Sequence, residues 1–128
     1  MNNISKQKYQ HSDLTKKIIG LSFDLFNEIG TGYPEKVYQN GLAARFEQNN
    51  LKFIREAYCS LISSGSKIGQ FRVDFVVENK IVVELKARKM ILNRDIAQTL
   101  TYLKMKKLKI GLILLFGKSA VEIKRLIL

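Results

Sequence analysis

The chain has 128 residues, 46% of them hydrophobic, enough for one globular domain that buries roughly two-thirds of its unfolded surface. Lys and Arg number 22 against 11 Asp and Glu, a net charge of +11, which points to a polyanionic partner (nucleic acid first, an anionic membrane surface second) or to a merely solvated basic surface. One cysteine, Cys59, excludes an internal disulfide and cysteine-cluster metal sites, and one histidine, His11, leaves any chemistry to carboxylates, lysine and a metal.

Residues 1–12 read as a flexible lead-in to a single domain over 13–128. No apolar run approaches the ~20 residues of a membrane span. The N-terminal segment lacks a signal-peptide apolar region, so a cytoplasmic protein is expected. Ser12 suits an N-cap, and Leu14, Ile18, Leu21, Leu25 and Ile29 trace one face of a helix that ends at Gly30. Pro34 suits the first position of a second helix reaching Gln48. Its apolar stripe is Tyr38, Leu42 and Phe46, and Glu35 falls on the same stripe. An inward carboxylate must be paired, protonated or metal-bound; otherwise Glu35 is a first-turn acid favoured by the helix dipole.

Leu51 to Ser63 reads as one or two strands, with a turn at Ser64–Ser66. The stretch Gln70–Ala87 is a strand, a polar turn and a second strand. Phe71, Val73, Phe75 and Val77 alternate with Arg72, Asp74, Val76 and Glu78; Ile81, Val83 and Leu85 then alternate with Val82, Glu84 and Lys86. Glu84 and Lys86 share a face, about 7 Å apart at the strand rise. Asp74 joins them only if the hairpin loop holds an odd number of residues, because a one-residue slip reverses every side chain. A three-residue connection or a bulge near Glu78–Ile81 is therefore expected, and a two-residue turn would exclude the cluster.

Asn93 reads as the N-cap of a third helix, Arg94 to Lys107, with Ile96, Leu100 and Leu103 on its core stripe. Arg94, Gln98 and Tyr102 recur every four residues on a different face. Lys104, Lys106, Lys107 and Lys109 suit the helix dipole or phosphates equally. Ile110–Phe116 reads as a buried strand and Ala120–Leu126 as a final one. The order α-α-β-β-β-α-β-β implies an α/β domain with a mixed sheet.

Asp74, Glu84 and Lys86 form the spacing D-x9-E-x-K. Two carboxylates on adjacent strands suit a hard divalent cation, Mg²⁺ above all, and a nearby ammonium suits charge developing on a phosphoryl group. The competing reading is an exposed Glu–Lys pair worth under about 1 kcal/mol. The wider pattern resembles the PD-(D/E)XK nuclease superfamily, and within it the GxxExxY family of small prokaryotic proteins. That resemblance is carried by Gly32-Tyr33-Pro34-Glu35-Lys36-Val37-Tyr38, by Arg72-Val73-Asp74, by Val83-Glu84-Leu85-Lys86-Ala87, by Gln98 and Tyr102 as a RecB-type Q-x-x-x-Y, and by Leu115-Phe116-Gly117. It spans about residues 14–128 and implies a restriction-endonuclease-like fold.

The resemblance further implies that Glu35 is a helix-borne acid and that Asp74 and Glu84 are metal ligands, with the Leu85 carbonyl a third donor. Lys86 becomes the catalytic lysine. Gln98 and Tyr102 bind the nucleic-acid strand or orient the site, with Arg72 and Arg94 as further nucleic-acid contacts. This chain has Leu115 where the family often has Asn, and Asp95 where it often has His; both bear on substrate rather than on the triad. The expected activity is Mg²⁺-dependent (Mn²⁺ as substitute) hydrolysis of phosphodiesters, DNA before RNA. The alternative is an inactive nucleic-acid-binding or accessory protein of the same fold. The small basic surface makes a homodimer an expectation.

Overall fold

Why eight short elements form one sheet with helices on both faces follows from where the apolar residues fall. The computed structural model describes residues 11–128; apart from His11 and Ser12, the expected lead-in lies outside the described residues. Helix α1 (Ser12–Ile29) buries Ile18, Leu21 and Leu25, as its stripe requires. It starts one residue earlier than expected. His11 takes the cap position, because its carbonyl accepts both the N–H and the hydroxyl of Thr15, each at 2.9 Å.

Helix α2 (Glu35–Gln48) buries Tyr38, Leu42 and Phe46. Pro34 precedes the helix as its cap, with extended ψ of 153°, instead of occupying its first turn. Helices α1 and α2 approach closely at Gly41, where an added Cβ would stand 2.6 Å from Leu25 Cδ1.

Strands β1 (Phe53–Ser63), β2 (Ser66–Val77) and β3 (Ile81–Lys86) are joined antiparallel; helix α3 (Asn93–Lys106) then carries the chain across to β4 (Ile110–Phe116), parallel to β3, and β5 (Val121–Ile127) returns antiparallel. The sheet order is β1-β2-β3-β4-β5. The central β3 and β4 are covered on both faces, which accounts for their continuous apolar runs. One core lies under α1 and α2 and includes Phe75, Val77, Val83, Leu85 and Leu114. The other, under α3, holds Ala57, Cys59, Val73, Val76, Val82, Tyr102 and Leu103.

Two expectations need correction. Phe71 to Val77 do not alternate throughout: Val73 packs in the α3 core, whereas Phe75, two residues on, packs in the opposite one. Strand β2 turns over at Asp74. Opposite it, Glu56 has a φ of 54° and the β1–β2 pairing steps from Arg55–Phe75 to Ala57–Val73. Such irregularities re-aim side chains beside functional sites.

Helix α3 is also rotated from its expected stripe. Asp95, Thr99, Tyr102 and Leu103 are buried, and Ile96 and Leu100 only partly so. Gly111 on β4 receives this face, since a Cβ there would meet Thr99 Cγ2 at 3.0 Å and Leu103 Cδ1 at 3.3 Å. The cap falls on Leu92, not Asn93, because the Asp95 carboxylate accepts the Leu92 N–H at 2.8 Å. Beyond Phe75 the β1–β2 hairpin runs on without β3 beside it, as an arm exposing Tyr58, Ile62 and Ile68. No helix among the described residues is long and apolar enough to cross a membrane.

Candidate active site

The hairpin between β2 and β3 decides whether the acidic residues meet. Its loop is Glu78-Asn79-Lys80, three residues, with Val77 paired to Ile81, Val76 to Val82 and Phe75 to Val83. Glu78 and Asn79 both adopt positive φ of 53°, and Lys80 N–H closes the loop on the Val77 carbonyl at 3.0 Å. One step beyond the last pair, Asp74 faces Glu84. The Asp74 N–H donates to Glu84 Oε1 at 2.9 Å, and the Leu85 N–H donates to Asp74 Oδ2 at 2.8 Å. At this point the carboxylates replace the backbone carbonyls as acceptors, and the strands part around them.

Gln39 completes the hold on Asp74. This side chain is 4% exposed. Its amide nitrogen donates to Asp74 Oδ1 at 3.2 Å, and its oxygen accepts from Arg55 Nε at 3.0 Å and Nη2 at 2.8 Å. Arg55 is anchored in turn by Asn40. Sequence reasoning missed Gln39 and Arg55. The available signal was that Gln39 stands four residues after Glu35, on the same helical face.

Burial and mutual repulsion dominate the electrostatics. Glu84, 4% exposed, is pushed up to about 8, first by burial and then by the neighbouring Asp74 charge. Burial also raises Asp74, against the pull of the Leu85 N–H and of Lys86. Glu35 is half-buried at the start of α2; burial raises it, Asp74 raises it further, and Lys86 and Arg88 oppose. Glu35, Asp74, Glu84 and Lys86 are thus within electrostatic reach of one another. Carboxyls raised by burial and by each other are what a cation relieves. Among the described residues no three His, Cys, Asp or Glu side chains form a ready-made metal cage. Two hard carboxylates side by side nonetheless suit a small divalent ion that keeps several waters.

The Gly-x-x-Glu-x-x-Tyr stretch has a clear structural basis. Gly30 and Gly32 take φ of 77° and 98°, which only glycine adopts freely. The Tyr38 hydroxyl donates to the Gly30 carbonyl at 2.8 Å and its ring stacks on Phe116 at 4.3 Å. Thr31 Oγ1 ties the same turn to the Gly117 carbonyl at 2.7 Å. Together these contacts fix where α2 begins, and so where Glu35 stands.

The remaining residues divide. Tyr102 is 5% exposed, packed in the α3 core near Phe71 and pushed up to about 12, by burial and then by Glu84. Gln98 is exposed, one helical turn before Tyr102, and its side chain opposes that rise. Arg72 is exposed on β2 and pairs with Glu56 at 3.3 Å, while Lys36 holds the other Glu56 oxygen at 2.5 Å. Arg94 is exposed. Asp95 is bound by both Arg88 terminal nitrogens at 2.5 Å while it caps α3, a structural task that accounts for an acid at that position.

The chain superposes on the crystal structure of SSO0001 with a TM-score of 0.58 and 17% identity, covering 95% of this chain and 61% of that one. At that identity the likeness is one of fold, and this chain spans about 61% of the other's length. Among curated proteins none matches. A family model described as the PD-(D/E)XK nuclease superfamily matches residues 12–126. With nearly the whole chain matched, the protein belongs to the PD-(D/E)XK nuclease superfamily.

Proposed function

We propose that this chain is a divalent-metal-dependent nuclease of the GxxExxY branch, using Mg²⁺, or Mn²⁺ in its place, to cut DNA in preference to RNA. One observation carries the reading: a half-buried carboxyl, Asp74, and a buried one, Glu84, on opposed strand positions each accept a backbone N–H from the other's strand, and Lys86 stands two residues after Glu84. Asp74, Glu84 and the Leu85 carbonyl would hold the ion. When bound, it would polarise a phosphoryl oxygen and lower the pKa of a coordinated water. Lys86 donates to the attacking water or to the phosphoryl oxygen that gains negative charge. Glu35, raised by burial and Asp74, supplies a further carboxyl for the water or ion. Tyr102 and Gln98 support the Glu84 side from α3, and Arg72 and Arg94 meet the strand. The net +11 charge supports a nucleic-acid substrate, and a cytoplasmic homodimer fits this reading.

Cleavage of single- and double-stranded DNA and RNA with Mg²⁺, Mn²⁺ or EDTA tests it, with Asp74→Ala and Lys86→Ala alongside. Metal-dependent cutting lost in both variants supports the nuclease. Equal, salt-sensitive binding by all three proteins without cutting would replace it with a binding module.

A further inference from the structure

The two parallel strands end side by side. Beyond the carboxyl end of β3 come Ala87, Arg88 and Lys89; beyond that of β4 come Gly117 and Lys118. Between them lies a cavity of about 330 Å³, whose remaining wall is the α1–α2 turn with Tyr33 and Tyr38. Crevices outside the carboxyl ends of parallel strands are where open α/β sheets take ligands.

We propose that this crevice is a subsite for one nucleotide unit of a single strand, its phosphate on Lys89 and Lys118 and its base against Tyr33. This rests on the nucleic-acid reading above. Three cations and no carboxylate line the cavity. Arg88 is already committed to Asp95, whereas Lys89 and Lys118 are exposed and make no ion pair among the described residues. They are the cations available to a phosphate.

The aromatic side is equally built. Tyr33 is 44% exposed and stands edge-on to Tyr38 at 6.0 Å, while Tyr38 is fixed by Phe116 and by Gly30. An exposed ring on a rigid base beside paired ammonium groups is the chemistry that binds a base and its phosphate. The crevice is continuous with the carboxylate cluster: Ala87 directly follows Lys86, and the Arg88 charge acts on Glu35. A strand seated there would run on along β3 toward Glu84.

The test is equilibrium binding of a labelled oligothymidylate in EDTA, across a salt series, with cleavage in Mg²⁺ measured separately. The variants are Lys89→Ala/Lys118→Ala, Tyr33→Ala and a charge-matched control, Lys52→Ala/Lys109→Ala. The control lysines are exposed; Lys52 precedes β1 and Lys109 precedes β4, at the end of the sheet where β3 and β4 begin, away from the crevice. The first double variant should lose about tenfold or more in affinity, and the slope of log K on log salt should flatten by about 1.4, two contacts at about 0.7 each on a single strand. Tyr33→Ala should lose about tenfold without changing that slope.

Equal losses in the two double variants, or no loss in either, would overturn the subsite, as would no binding by wild type. The two readings separate cleanly. Absent cleavage with selective loss in Lys89→Ala/Lys118→Ala removes the nuclease and keeps the subsite. Metal-dependent cleavage with unchanged binding in that variant does the reverse.

Discussion

Asp74 and Glu84 are held by each other's strands: Asp74 gives its N–H to Glu84 Oε1 at 2.9 Å, and its Oδ2 receives the N–H of the next residue, Leu85, at 2.8 Å. Charge and scaffolding therefore reside in one side chain, and two substitutions separate them. Asp74→Asn keeps an oxygen for the Leu85 N–H but loses the bond from Gln39; it should fold within about 1–2 kcal/mol of wild type, yet lose cleavage at least a hundredfold. Asp74→Ala leaves that N–H unsatisfied and should lose about 1–3 kcal/mol as well. Urea unfolding alongside cleavage rates reads both effects. Full activity in Asp74→Asn would remove Asp74 from the chemistry.

Gln39 should act through Asp74 and not on substrate. Removing the partner that orients a metal-binding carboxylate typically costs 10–100-fold in metal affinity or activity. Gln39→Ala should raise the Mg²⁺ concentration needed for half-maximal cleavage by about tenfold, with the rate at saturating metal much less affected. Arg55→Ala should show the same pattern more weakly, because Arg55 fixes the Gln39 amide. An unchanged metal requirement in both would mean that Asp74 needs no such support.

Glu84 makes the metal-free protein pH-sensitive in a stated direction. Its folded value is about 8 against 4.5 for the free side chain, so between these values the folded state holds a proton that the unfolded state has released. Stability then falls as pH rises. The contribution is fully present below about pH 4.5 and is lost on rising through 8; Asp74 and Glu35, also raised, act in the same sense. Thermal melts in EDTA should show a decline from pH 5 to 8 that Glu84→Gln flattens, since the amide oxygen still accepts the Asp74 N–H. A wild-type profile parallel to that of the variant would be incompatible with a protonated Glu84.

Tyr38 positions the turn that presents Glu35. Tyr38→Phe keeps the stack on Phe116 but loses the bond to the Gly30 carbonyl, a net cost of about 0.5–1.5 kcal/mol. Guanidinium unfolding should show a loss of that size with an unchanged slope, and cleavage should fall only severalfold. Tyr38→Ala opens the core and should cost about 3–5 kcal/mol. Equal losses in the two variants would deny the hydroxyl its share.

Much of this was readable from residue order. The loop of three residues at Glu78–Lys80 follows from requiring Asp74 and Glu84 on one side, and the observed register has it. The stripes of α1 and α2 pack as written, because each helix offers one apolar face to one sheet. Helix α3 was less legible. Its buried face carries Asp95 and Thr99, polar residues that periodicity assigns outward, and they are buried because Arg88 satisfies one and Gly111 makes room for the other. Neither partner lies on the helix itself.

By itself, the amino-acid sequence determined the element order, the mixed sheet and the D-x9-E-x-K spacing, since these depend on periods of two and 3.6 and on loop parity, all local quantities. Only the tertiary structure decided that β2 turns over at Asp74, that Gln39 and Arg55 brace it, and that two strand ends and a helical turn enclose a basic crevice. Those outcomes depend on contacts between distant segments, which local periodicity does not encode.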